Sequence, residues 1–133
     1  MNNRIRLLFL DDSRARHAAL KNWITIFDAA FSCDEAISMI SAKKYDVLSL
    51  DHDLSDEDQM TKPGNPTKER TGSDFAAFVA ANKIFCDVII LHSYNDAGAN
   101  NMANILKGSA RQIMRVPFGF NAELYRSLAD AAK

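Results

Sequence analysis

The chain alternates between short apolar runs and stretches whose apolar residues recur at helical spacing. Arg4–Leu10 is apolar and bounded by polar residues, which predicts a buried strand. Arg14–Phe27 places Ala19, Leu20, Trp23, Ile24 and Phe27 on one helical face, with Asp12 or Ser13 as the N-cap. Ala29–Cys33 reads as a weak second strand, Asp34–Lys44 as a helix with Ile37 and Ile40 inward, and Tyr45–Leu50 as a third strand. Gly72–Lys83 is a helix, Cys86–Leu91 a strand, Ala97–Lys107 a helix, Gln112–Val116 a fifth strand and Asn121–Ala132 a closing helix. Five strands alternating with five helices predict right-handed crossovers and a parallel sheet covered on both faces. The expected architecture is a single three-layer, doubly wound α/β domain spanning 1–133, with flavodoxin-like strand order 2-1-3-4-5.

One stretch breaks the pattern. From Asp51 to about Thr71 the chain carries Pro63, Gly64, Pro66 and many charged residues. It exceeds the usual length of an unstructured connection, and such segments usually serve function. It reads as a flap over the site rather than a linker, because too little chain lies on either side for two domains.

Composition narrows the picture. A length of 133 residues suits one domain with a real core, and a net charge of -1 gives no global pull toward duplex DNA or a membrane. Cys33 and Cys86 each sit beside apolar residues, so buried free thiols in a reducing, cytoplasmic setting are expected. The apolar run near the N-terminus is too short for a signal peptide, and no run approaches the length needed to span a membrane.

The chemistry lies where strands end. Strand one runs into Asp11-Asp12, strand three into Asp51-His52-Asp53, and strand four into His92-Ser93-Tyr94-Asn95. In an open parallel sheet these ends share one crevice, where ligands bind. Four carboxylates gathered there repel one another unless a proton or cation offsets them. Asp11, Asp12, Asp51 and Asp53 are therefore candidate ligands for a divalent metal, with Mg²⁺ favoured by oxygen donors and Mn²⁺ if the histidines join. If the strand stays extended, Asp51 and Asp53 share a face and His52 points away. His92 is the first candidate acid–base group and His52 the second, since an imidazole can both take and return a proton near neutral pH. His17 on the first helix reads as a surface residue. Arg14 sits in a helical first turn, where the macrodipole disfavours positive charge, which points to an anion partner such as phosphate or to pairing with Asp11 or Asp12. Arg115 ends strand five beside the same crevice and offers a planar fork for phosphate. Asn95, Gly98 and Asn100 surround a helix start whose free N–H groups suit an anion.

These residues resemble a receiver domain of two-component signalling. Asp11-Asp12, an aspartate at 51 or 53, and Ser93 fit that pattern, but Arg115-Val116-Pro117 lacks the lysine expected before the proline. A closer resemblance is to cyclic-phosphate-processing receiver domains. It rests on Leu10-Asp11-Asp12-Ser13-Arg14, Leu50-Asp51-His52-Asp53-Leu54, His92-Ser93-Tyr94-Asn95, Gly98-Ala99-Asn100-Asn101-Met102 and Arg115-Val116-Pro117-Phe118. The resemblance implies a metal-dependent phosphoesterase acting on 2′,3′-cyclic phosphate RNA ends or cyclic nucleotides. On that reading Asp11, Asp12 and Asp51 or Asp53 hold the metal. Arg14, Arg115, Ser93, Asn95, Gly98 and Asn100 border the phosphate, and His92 with His52 moves protons. Two other readings compete: a module that binds a nucleotide without turnover, and a receiver that accepts a phosphoryl group on Asp51 or Asp53.

Overall fold

The computed structural model describes residues 5–54 and 71–131. The segment expected to form a flap lies mostly outside them. In chain order the elements are β1 (Leu7–Leu10), α1 (Arg14–Leu20), β2 (Asp28–Ala30), α2 (Cys33–Ala42), β3 (Val47–Leu50), α3 (Gly72–Ala81), β4 (Cys86–Leu91), α4 (Asp96–Ile105), β5 (Ala110–Arg115) and α5 (Ala122–Ala131). All paired strands are parallel, in the order β2-β1-β3-β4-β5. This is the expected doubly wound topology.

Alternation along each strand sorts the core into two layers. Leu8, Leu10, Leu48, Leu50, Ile89 and Leu91 face α2, α3 and α4, where they meet Ala36, Ile40, Phe75, Val79 and Met102. Leu7, Phe9, Val47 and Ile90 face α1 and α5, where they meet Leu20 and Tyr125. Trp23 lies parallel to the Tyr125 ring on this second face, with centroids 6.1 Å apart.

Side chains define the helix starts. Ser13, Ser32 and Asn95 accept from the backbone N–H of Arg16, Glu35 and Gly98 respectively. Thr71 and Asp74 form a reciprocal capping box at the start of α3. The first helix is shorter than its apolar pattern suggests. It ends at Leu20, and the N–H groups of Trp23 and Ile24 both turn back to the Leu20 carbonyl. The Ile24-Thr25-Ile26 run that follows is β-branched, and such residues lose side-chain freedom in a helix. Trp23, Ile24 and Phe27 still pack against the core from the connection to β2.

Candidate functional site

The two-residue period of the strands assembles the site. Leu7, Phe9 and Asp11 share one face; Val47, Ser49 and Asp51 continue the same face, as do Val88, Ile90 and His92. Leu10 is paired with Leu50, and Leu50 with Leu91, so the next residue of each strand stands beside its neighbour. The ladder extends one step: Asp51 N–H donates to the Leu10 carbonyl at 2.9 Å and His92 N–H to that of Leu50 at 3.0 Å. Asp11, Asp51 and His92, all buried, consequently bring one ligand atom each within 4.8 Å of the others.

Asp11 is the hub. Its Oδ1 accepts the Ser13 N–H at 2.8 Å. Its Oδ2 accepts from Arg16 Nη1 at 3.1 Å and from His92 Nε2 at 2.9 Å. Burial works to raise its pKa, but the His92 hydrogen bond and charge, the Ser13 N–H and Arg16 hold it below the usual carboxylate range. Asp51 fares differently. Burial and the charges of Asp11 and Asp12 push it up to about 7, against the pull of Arg16, whose Nη1 stands 3.7 Å from Asp51 Oδ2. Among the described residues, the Arg16 guanidinium faces buried Asp11 and Asp51, and half-buried Asp12 adds its charge beside Asp51. The oxygen donors of Asp11 and Asp51 fit a hard divalent cation.

Arg16 is the residue that the sequence reading missed. Its guanidinium lies 5.3 Å from the Tyr94 ring and 5.6 Å from the Phe118 ring while it faces the two aspartates. Arg14 is carried elsewhere, 6.0 Å from the Phe31 ring. The signal was present: Arg16 is the third residue of a helix capped by Ser13, and side chains at that position reach back over the helix start.

The histidines divide by environment. His92 is fully buried, stacked on Phe9 at 4.7 Å, with Nδ1 bonded to Ser49 Oγ at 2.7 Å and Nε2 to Asp11. Burial lowers its pKa despite Asp11. His17, expected at the surface, is buried too. Its Nε2 bonds the Asp11 carbonyl at 2.7 Å and its ring stacks on Phe31 at 4.0 Å. Burial also lowers its pKa. His52 alone reaches the rim, half-buried, with Nδ1 3.0 Å from Asp53 Oδ1. That bond, with a second from Asn95 Nδ2 at 3.2 Å, keeps Asp53 low. The expected pairing of Asp51 and Asp53 on one face does not form, because β3 ends at Leu50 and the chain turns. Asp51 stays with Asp11, whereas exposed Asp53 goes with His52 and Asn95.

Two glycines let α3 and α4 close on this turn. A Cβ at Gly98 would stand 2.4 Å from His52 Cγ, and one at Gly72 would stand 2.1 Å from the Asp51 carbonyl oxygen. Gly98 N–H is already taken by Asn95 Oδ1 at 2.9 Å, and Asn100 is exposed further along α4. Ser93 is buried, with Oγ accepting the Asn95 N–H at 3.0 Å. Arg115 Nη2 donates to the Ser93 carbonyl at 2.9 Å and to Asp96 at 2.7 Å, tying β5 to the start of α4. A cleft of ≈ 560 Å³ opens at the other end of the sheet, beside Lys43, Tyr45 and Cys86, and holds none of these residues.

A five-stranded parallel sheet of this order, with an acidic pocket at the carboxyl ends of β1 and β3, defines a receiver-like α/β domain. The profile of the family described as "Cyclic-phosphate processing Receiver domain" matches residues 6–108, and the chain belongs to that family. Solved structures agree on the fold. A two-component response regulator from Clostridium difficile is 22% identical, with TM-score 0.67, covering 97% of this chain and 95% of its own. The signal receiver domain of a LuxO-type repressor protein from Vibrio parahaemolyticus is 17% identical, with TM-score 0.67 and coverages of 97% and 89%. A Burkholderia pseudomallei response regulator, solved with a phosphorylated aspartic acid, calcium ion and citrate, is 18% identical, with TM-score 0.57 and coverages of 96% and 68%. Comparison with curated proteins returns no match.

Proposed function

We propose that this domain is a metal-dependent phosphoesterase that opens cyclic phosphates, in nucleotides or at RNA ends. The observation that carries the reading is the convergence of buried Asp11, Asp51 and His92 within 4.8 Å at the strand ends, with Asp12 near enough to act on Asp51. Asp11 and Asp51 would hold a divalent cation, Mg²⁺ or Mn²⁺, with Asp12 alongside. When bound, that cation supplies positive charge to a phosphoryl oxygen.

The proton role falls to His52. Asp53 engages its Nδ1, which leaves Nε2 as the atom for proton exchange. Nε2 takes a proton from water as the water oxygen bonds to phosphorus, and the proton passes to the ester oxygen released when the ring P–O bond breaks. The product is a phosphomonoester. His92, fully buried on Phe9, serves by orienting Asp11. Tyr94 and Phe120 are 56% and 79% exposed on the segments that follow β4 and β5, and their rings suit stacking against a base.

The test is incubation with cyclic mononucleotides, cyclic dinucleotides and RNA ending in 2′,3′-cyclic phosphate, with Mg²⁺, Mn²⁺ or chelator, followed by phosphorus NMR. Ring opening that needs metal is expected, and His52→Gln should slow it about 100-fold or more. A panel left intact under every metal condition would remove the proposal.

A second reading has its own support. Asp51 directly follows β3, beside Asp11 and Asp12, in the fold of a neighbour that carries a phosphorylated aspartic acid. On that reading acetyl phosphate would add one phosphoryl group to the protein, and Asp51→Asn would prevent it.

A further inference from the structure

A buried chain of hydrogen bonds runs from α5 into the acidic pocket. Asn121, just before α5, places Nδ2 3.2 Å from Tyr125 OH. Tyr125 OH meets Ser49 Oγ, Ser49 Oγ meets His92 Nδ1 at 2.7 Å, and His92 Nε2 meets Asp11 Oδ2 at 2.9 Å. Every member is buried: Asn121, Tyr125, Ser49, His92 and Asp11. Buried polar groups of this kind are fully paired or costly, so the direction of each hydrogen matters.

Both ends of the chain fix that direction. At the outer end, Gly119 N–H donates to Asn121 Oδ1 at 3.3 Å, and Asn121 Nδ2 donates to the Val116 carbonyl at 3.3 Å. Backbone groups cannot exchange roles, so the amide has one orientation and offers its NH₂ to Tyr125. The phenol oxygen accepts from Asn121 and turns its own hydrogen to Ser49. Ser49 then donates to His92 Nδ1. At the inner end the Asp11 carboxylate accepts, which requires hydrogen on His92 Nε2. Four links receive four hydrogens, one each from Asn121, Tyr125, Ser49 and His92. The opposite direction strands the Tyr125 hydrogen against the Asn121 amide and sets a lone pair of His92 against Asp11.

We propose that this buried chain is ordered in one direction, from the Asn121 amide to the Asp11 carboxylate, so that His92 carries its ring proton at Nε2 facing Asp11 and Asn121 supplies the matching donor at the far end. Residues 121 and 125 lie beyond the part of the chain matched by the family profile, which ends at 108. The inference goes beyond the proposed activity and stands whether or not a cyclic phosphate is turned over.

Nitrogen NMR of the histidine rings in the whole, metal-free protein at fixed neutral pH reads the arrangement directly. In the unaltered chain, His92 Nδ1 should give the signal of an unprotonated nitrogen and Nε2 that of a protonated one. Asn121→Asp replaces the donor end by an acceptor, leaving three hydrogens for four links. The unprotonated Nδ1 signal should then be lost or shifted. Tyr125→Phe cuts the chain without adding an acceptor and should leave both signals in place, which separates proton order from general loosening of the core. Three results would overturn the proposal: hydrogen on Nδ1 in the unaltered protein, unchanged His92 signals in folded Asn121→Asp, or the same change in both variants. If Asn121→Asp does not fold, the tautomer of the unaltered protein still decides.

Discussion

Asp51 gives the site its pH signature. Its pKa rises on folding from 3.8 to about 7, so between those values the folded chain binds more protons than the unfolded one. Stability contributed through Asp51 therefore falls as pH rises across that window, and the cost is complete above it. Asp11 has the opposite sign. Its lowered pKa contributes stability above the ordinary carboxylate value, and that contribution is lost as pH falls through the folded value. In chelator, thermal unfolding from about pH 5 to about pH 8 should show a declining Tm that Asp51→Asn flattens. Parallel profiles for the two proteins would refute this assignment. The meeting of Asp11, Asp51 and His92 was legible in the sequence as residues that follow strand ends at one crevice. The depth of His92 was not, because an imidazole at a strand end reads alike whether helices cover it or leave it open. Covering comes from Phe9 below and Phe118 beside it, contacts made across the fold rather than along it.

At the scale of elements, most of the fold could be read from periodicity. Cys86–Leu91 matches its expected span, and the other strands and helices are found within a few residues of theirs. The exception has a local cause. The first helix stops at Leu20, where its apolar face continues into β-branched residues, and hydrophobic pattern alone overran it. Strand three ends at Leu50 as the pattern expects, and the turn beyond it parts Asp53 from Asp51. The approach of α4 to the β3 exit depends on Gly98, since a Cβ there meets the His52 ring. Gly98→Ala should force that ring aside and lower stability by about 1–3 kcal/mol, seen in denaturant unfolding. Activity should fall with it, because the same ring carries the proposed proton. An alanine variant with unchanged stability and turnover would show that His52 has room to move.

For the whole molecule, the strand order places β1 and β3 side by side at the switch point, and this adjacency brings two acidic segments together. Among the described residues, no helix is long and apolar enough to cross a membrane. A cation that binds only the folded domain stabilises it by mass action, about 2.7 kcal/mol at 100 times its Kd. Excess Mg²⁺ or Mn²⁺ should accordingly raise Tm by roughly 5–10 °C over chelator, and Asp11→Asn should abolish the rise. Equal melting with metal and with chelator would refute cation binding at this pocket. Trp23 gives the molecule a way to be watched. It is the one tryptophan in the chain, and its ring lies parallel to Tyr125, the phenol next to Asn121 in the buried hydrogen-bond chain. The protein therefore has an intrinsic fluorophore against the far end of its own site. Changes in emission colour or lifetime will report events at Asp11 from the core layer beneath α1 and α5, without a label.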